Sequence, residues 1–204
     1  FRRPRLQWDL SRIESQTISP TNMFTKTPQI IRFKNPVIVV IIGEDRLQAL
    51  QILRKILNKR DASLNLDTVQ IAHRKSGAPY LKAGRGRSNF SISVSHTQHL
   101  TALAAAESPI GIDLEGPRLP KHWEKIARRV FLEEDLQKSM RHNSSMSFDA
   151  ISFIRAWTRK EALVKAFHKG ILWRPKNMDR LTIHEVQKKI TWGKKYYWLS
   201  VCVR

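Results

Sequence analysis

Residues 110–115 read Ile-Gly-Ile-Asp-Leu-Glu, in which apolar side chains alternate with a glycine and two carboxylates. This alternation predicts a β-strand with its three apolar side chains in the core and Asp113 and Glu115 on the other face. Adjacent carboxylates repel each other unless a cation lies between them, and ligation by oxygen alone suits Mg²⁺. An isolated pair of this kind is more often a solvated strand edge. The strand is therefore a candidate metal site that needs support from elsewhere in the chain.

A second informative stretch, residues 157–165, reads Trp-Thr-Arg-Lys-Glu-Ala-Leu-Val-Lys inside a predicted helix over about residues 148–169. Gly170 is the expected helix end, since glycine is common just after the last turn. Glu161 and Lys165 are four residues apart and so share a helix face. From spacing alone, an ion pair that supports the helix is the simpler interpretation. The pair borders a predicted buried stripe formed by Phe153, Ala156, Trp157, Val164 and Phe167.

Residues 90–96, Phe-Ser-Ile-Ser-Val-Ser-His, predict a strand with an apolar face and a serine face, paired as a hairpin with residues 101–106. His96 ends this strand, where a lone histidine is more often a packed or capping residue than a functional one. With no cysteine or second histidine at metal-ligand spacing, zinc is not expected.

The remaining pattern predicts alternating short strands and helices. An apolar strand at residues 37–42 leads through Gly43 into a helix whose apolar positions are Leu47, Leu50, Ile52, Leu53, Ile56 and Leu57. Further expected elements are a strand at 69–72, a turn at 76–79, helices at 122–131 and 133–140, and a hairpin of 181–186 with 196–203 around Trp192-Gly193. Residues 1–36 read as a basic arm with one or two short elements, because prolines interrupt it.

Charge is the strongest bulk feature, with 37 Lys and Arg against 17 Asp and Glu and a formal net charge of +20. Such a field attracts nucleic acid, an acidic protein or a phosphate-rich cofactor without choosing among them. The lone Cys202 excludes an internal disulfide. No apolar run is long enough to span a bilayer and no secretory signal is visible at the start, so we expect a cytoplasmic protein without a membrane partner.

Taken in order, Ser95-His96-Thr97, residues 111–115 and residues 157–165 resemble the signature of the 4′-phosphopantetheinyl transferase superfamily. They are most similar to its larger, two-halved branch, the surfactin-synthetase-activating type, because Glu115 supplies a second strand carboxylate. The turn at residues 77–80, Gly-Ala-Pro-Tyr, is similar to the family's Gly-Lys-Pro-Tyr segment, with Ala78 in place of lysine.

The resemblance implies an α+β fold of two similar α/β subdomains related by a pseudo-twofold axis, each a small antiparallel sheet packed with a long helix. Residues 1–109 would form the N-terminal half, in which the basic arm, residues 1–36, precedes a subdomain that binds the adenosine bisphosphate part of coenzyme A. Residues 110–204 would form the C-terminal half, with the metal-binding strand and the helix. The active site would lie at their interface, enclosed by one chain, so a monomer is expected.

The implied activity moves the 4′-phosphopantetheine group of coenzyme A onto a serine of an apo acyl or peptidyl carrier protein and releases adenosine 3′,5′-bisphosphate. The resemblance implies Mg²⁺, or alternatively Mn²⁺, held by Asp113, Glu115 and Glu161. Glu161 would also accept the serine proton. Lys165 would hold the transferred phosphate, and His96 the pyrophosphate region.

Coenzyme A would be bound by residues spread along the chain. Arg46 is the candidate for its 3′-phosphate, and Lys75 for the role of the lysine missing at position 78. The other implied contacts are Gly77, Pro79, Ser95, His96, Lys160 and Lys165. The basic charge suits an acidic carrier, because opposite charges speed encounter. Ile126, Val130 and Phe131 fit either a carrier contact or ordinary core.

Two other functions remain open from the residues. A basic nucleic-acid-binding protein would also carry this charge, although no nucleic-acid-binding motif supports it. A non-catalytic relative that only binds coenzyme A or carriers would keep the motifs.

Overall fold

The computed structural model describes residues 14–17, 28–34, 37–59, 70–75, 77–83, 86–116, 118–133, 149–174 and 183–204. In this part of the chain, two antiparallel sheets lie face to face and a helix packs on the outer face of each. The predicted mixture of helices and small antiparallel sheets is confirmed. None of the described helices is long and apolar enough to cross a membrane.

The larger sheet has five antiparallel strands. In spatial order these are Glu14–Thr17 (β1), Gln29–Lys34 (β2), Val37–Gly43 (β3), Thr101–Ala106 (β8) and Ser91–His96 (β7). The apolar run of β3 is continuous because both of its faces are buried: Val40 faces the second sheet, and Ile41 faces a helix. Residues 29–34, assigned to the basic arm by sequence, thus form a strand of this sheet.

The second sheet contains three antiparallel strands, in the order His184–Trp192 (β10), Lys195–Val203 (β11) and Ile110–Glu115 (β9). The predicted hairpin around Trp192-Gly193 is confirmed, with Gly193 at a φ of 60° in the turn, but its first strand continues to Trp192 instead of ending at Val186. Ile110, Ile112 and Leu114 face the core between the sheets, as the alternation predicted. A small third sheet consists of Gln70–His73 (β4), Pro79–Ala83 (β5) and Gly86–Arg87 (β6).

Three helices occur among the described residues: Arg46–Asn58 (α1), Trp123–Val130 (α2) and Ala150–Ala166 (α3). Asp45 caps α1, because its Oδ1 accepts from the Leu47 N–H at 2.7 Å. Leu47, the first of the apolar positions noted in this helix, lies in the first turn and is 70% exposed. The buried face of α1 begins at Ala49 and continues through Leu53 and Leu57.

The predicted end of the long helix is wrong, because α3 ends at Ala166 rather than next to Gly170. The chain leaves the helix at Phe167, and His168 adopts the left-handed conformation (φ 52°) that glycine was expected to supply. Val130 and Phe131 are buried at the end of α2, which favours the core interpretation of these residues. The helix predicted at residues 133–140 falls almost entirely outside the described residues.

Candidate active site

The serine face of β7 lies against the edge of β9. In the described sheet β9 is an outer strand, so alternate N–H groups along one side have no partner strand. The Ile112 N–H donates to Ser93 Oγ at 3.0 Å, and the Leu114 N–H donates to Ser95 Oγ at 3.1 Å. Both serines are buried. The serines whose alternation predicted β7 therefore also connect the two sheets by hydrogen bonds.

Asp113 lies at this junction and is 4% exposed. Its Oδ1 accepts hydrogen bonds from Ser95 Oγ at 2.9 Å and from Lys165 Nζ at 2.7 Å. Lys165 Nζ also donates to the Ile112 carbonyl at 3.1 Å. Asp113 Oδ2 is buried without a hydrogen-bond partner among the residues that the structure describes. An unpaired buried carboxylate oxygen is costly, so this atom suits a further cation.

Glu115 and Glu161 are partly buried near Asp113, and the pKa of each is raised. Burial, with the charge of Asp113 adding to it, raises the pKa of Glu115 to about 7. Burial also raises the pKa of Glu161, while Lys165 opposes this rise and Asp113 adds to it. Burial raises the pKa of Asp113, against the opposing effects of Lys165 and Ser95. All three carboxyl groups thus favour a bound proton or an added cation.

These carboxylates do not form a finished metal site. No three His, Cys, Asp or Glu side chains in the described ranges are arranged to hold a metal ion. The Lys165 ammonium occupies the position beside Asp113 Oδ1, and it lies 3.8 Å from Glu161 Oε2. The chemistry of the donors still fits a hard divalent cation, because all are carboxylate oxygens and one buried oxygen is unpaired.

A cleft of about 300 Å³ opens at the end of β7. Arg46, the first residue of α1, and His96, the last residue of β7, both line it. Its other lining residues are Glu44, Val94, Thr97, Gln98, His99, Leu100 and Thr101. Successive strand residues point to opposite faces, so Ser95 contacts Asp113 while His96 reaches the cleft. The sequence motif Ser95-His96 therefore lies between Asp113 and the cleft.

Other residues predicted for the site lie elsewhere. Lys160 is buried, and its Nζ donates to the Trp173 carbonyl at 2.8 Å in the segment that follows α3. Lys75 and Gly77 are exposed in the turn before β5, which begins at Pro79. None of these four residues lines the cleft at the end of β7.

Gly111 sets the distance between β9 and α3. A Cβ at this position would overlap the carbonyl oxygen of Ala162 and approach the backbone of Ala166. The glycine and the two alanines therefore allow the helix backbone to lie directly on the strand. This close approach places Lys165 within reach of Asp113.

Sequence reasoning did not identify Ser93, Glu44 or Trp192 as parts of this region. Trp192 Nε1 donates to Glu44 Oε1 at 2.7 Å, which connects the β10–β11 turn to the start of α1. The serine alternation in β7 was a usable signal for Ser93. No local pattern marks Glu44 and Trp192, because they are separated by 148 positions.

The motif-bearing half of the chain matches a family model. Residues 109–200 match the model of the 4′-phosphopantetheinyl transferase superfamily. This segment, just under half of the chain, is therefore similar to that superfamily. The matched range contains Asp113, Glu115, Glu161 and Lys165.

Two curated proteins named as 4′-phosphopantetheinyl transferases are similar to this chain. The 4′-phosphopantetheinyl transferase gsp of Aneurinibacillus migulanus is 30% identical over 136 residues, which is 62% of this chain and 53% of that protein. The 4′-phosphopantetheinyl transferase HetI of Nostoc sp. is 34% identical over 106 residues, 50% of this chain and 43% of that protein. The chain thus spans about half the length of the curated relatives it matches.

Proposed function

We propose that this chain transfers the 4′-phosphopantetheine group of coenzyme A to a serine of an acidic acyl or peptidyl carrier protein, releasing adenosine 3′,5′-bisphosphate. One observation carries the proposal: Asp113 of β9 and Lys165 of α3 meet at a buried point beside Ser95, with one Asp113 oxygen unpaired. The superfamily match over residues 109–200 and the two relatives named as transferases support it.

Asp113, Glu115 and Glu161 would hold the divalent ion, Mg²⁺ or Mn²⁺. When bound, the ion would neutralise the negative charge that spreads over the pyrophosphate during phosphoryl transfer. The raised pKa of Glu115 and Glu161 and the unpaired Asp113 Oδ2 support this assignment. Glu115 and Glu161 must turn toward Asp113, because as placed the three side chains do not form a ligand set.

Lys165 and Glu161 are proposed to act on the reacting groups. The Lys165 side chain is 31% exposed and its Nζ donates to Asp113 Oδ1, so the ammonium is held in place and can meet a phosphate that enters from the open side. Glu161 is proposed to accept the proton of the carrier serine. Its raised pKa makes it a better proton acceptor than an ordinary carboxylate.

The arrangement along β7 supports a direction for coenzyme A. Its 3′-phosphate would lie in the cleft beside Arg46, and its pyrophosphate would pass His96 toward the carboxylates. Neighbouring strand positions reach both regions, so the 3′-phosphate and the pyrophosphate would lie on either side of the end of β7. Gly77, Pro79, Lys75 and Lys160 remain predicted coenzyme A contacts.

The division at residue 109 and the pseudo-twofold relation are proposed as well. Each large sheet carries a helix on its outer face, and the carboxylate cluster lies where β7 of one half meets β9 of the other. The same arrangement supports a monomer, because residues from both halves reach the site within one chain.

Incubation with coenzyme A, Mg²⁺ or Mn²⁺ and a panel of apo-carriers tests the function, with holo-carrier detected by intact mass. We expect transfer to an acidic carrier, and loss of transfer in Asp113→Ala and Glu161→Ala. Glu107→Gln is a matched control, because Glu107 is an exposed carboxylate in the turn between β8 and β9. Coenzyme A binding without transfer to any carrier would indicate the non-catalytic relative. Salt-sensitive nucleic-acid binding without coenzyme A binding would indicate the other alternative.

A further inference from the structure

Glu44 is an acidic residue in a cleft proposed to bind a phosphate. Among the described residues that line this cleft, it is the only carboxylate, and it stands two positions before Arg46. A free carboxylate there would repel a bound phosphate and compete for the Arg46 guanidinium. Its hydrogen-bond partner therefore affects what the cleft can bind.

Trp192 is that partner, and it is firmly placed. Its indole N–H donates to Glu44 Oε1 at 2.7 Å, while its side chain is 6% exposed in the core between the two sheets. The neighbouring Thr191 carbonyl accepts from Gln29 Nε2 at 3.0 Å, so the β10–β11 turn contacts the larger sheet at a second point. The indole N–H can serve only as a donor, so it needs an acceptor such as the Glu44 carboxylate.

We propose that Trp192 is a positioning residue for anion binding, because it holds the Glu44 carboxylate away from the phosphate and leaves Arg46 available. The inference rests on the proposed function, since it takes coenzyme A as the ligand of the cleft. A negative charge released into the cleft, partly screened by water and salt, weakens phosphate binding by roughly threefold to tenfold. The weakening acts on affinity for the coenzyme, so KM changes and kcat does not.

Substitutions at Glu44 test this without disturbing the core. Glu44→Asp keeps the charge but is too short to reach the indole, so we expect adenosine 3′,5′-bisphosphate to bind about threefold to tenfold more weakly in calorimetry. Glu44→Gln keeps the acceptor oxygen and removes the charge, so binding is expected to be equal to or tighter than that of the wild type. The weakening in Glu44→Asp should shrink at high salt.

Trp192→Phe completes a double-mutant cycle. We expect it to weaken bisphosphate binding and to raise the KM for coenzyme A, and the added Glu44→Gln to restore both to within about twofold of the wild type. A purely structural role of Trp192 would leave the double variant as weak as Trp192→Phe, and this result would overturn the inference.

The Glu44 variants decide the question if Trp192→Phe does not fold. If Glu44→Asp and Glu44→Gln bind the bisphosphate as tightly as the wild type does, the inference is overturned. The proposed function still stands in that case, provided that the wild type transfers phosphopantetheine. A wild type that neither binds the bisphosphate nor modifies any carrier overturns both.

Discussion

A Cβ on Gly111 would occupy the space of the Ala162 carbonyl oxygen. The strand that carries Asp113 and the helix that carries Glu161 and Lys165 are therefore in backbone contact. The distance from Lys165 Nζ to Asp113 Oδ1, 2.7 Å, depends on this approach. Gly111 is thus required by the geometry of the candidate site as well as by packing.

Gly111→Ala is expected to lower the free energy of unfolding by more than about 2 kcal/mol, because neither backbone can move aside cheaply. The displaced helix should also reduce transfer activity in whatever fraction remains folded. Urea denaturation and carrier modification measure the two effects. Gly170→Ala is the matched control: an added Cβ there meets no atom within 4 Å, so a change within about 0.5 kcal/mol is expected. Equal effects of the two substitutions would contradict the prediction.

Ser95→Ala is expected to destabilise the protein by about 1–3 kcal/mol, because it leaves the buried Leu114 N–H unpaired and removes one donor from Asp113. Ser91→Ala, at a half-buried position on the same face of β7, should change stability by less than about 0.5 kcal/mol. Urea denaturation of both variants checks the prediction. Similar losses would show that the serine face contributes only general packing.

The sequence predicted most elements of the fold because their periodicities are strong. The alternation in residues 110–115 correctly placed three side chains in the core, and the spacing of Glu161 and Lys165 correctly placed both on one helix face. The end of α3 was wrong because a histidine occupies the left-handed position. The pairing of Glu44 with Trp192 could not be predicted, since it depends on how two distant turns meet in space.

The sequence could not reveal the environment of Asp113 for the same reason. Its strand position was predictable, but the donors that surround it come from β7 and α3, which are distant along the chain. Asp113, predicted to lie on the polar face of its strand, is therefore buried, and this burial raises its pKa.

Lys165→Ala is expected to lower kcat/KM for carrier modification by at least about a hundredfold, because the ammonium beside Asp113 would no longer stabilise charge on the transferred phosphate. Lys75→Ala should have a smaller effect, since Lys75 is exposed in the turn before β5. Rates of carrier modification, measured on folded protein with saturating carrier, compare Lys165→Ala with Lys75→Ala. A larger effect at Lys75 would mean that the phosphate assignments are misplaced.

Without a divalent ion, the protein is expected to become less stable as the pH rises through the range in which Glu115 ionises. The pKa of Glu115 is about 7 in the folded protein against 4.5 for a free side chain. The folded state therefore binds the Glu115 proton more tightly than the unfolded state does. The stability that this proton contributes is complete below about pH 4.5 and is lost as the pH rises past about 7. Glu115→Gln should remove this part of the pH dependence, and saturating Mg²⁺ should remove it in the wild type by taking the place of the proton. Thermal and urea denaturation from pH 4 to pH 8, with chelator or with Mg²⁺, measure the difference in stability between the wild type and Glu115→Gln. The decisive pH range is about 4.5–7. A wild type that gains stability relative to Glu115→Gln across this window would show that the Glu115 carboxylate already has a stabilising partner in the folded protein.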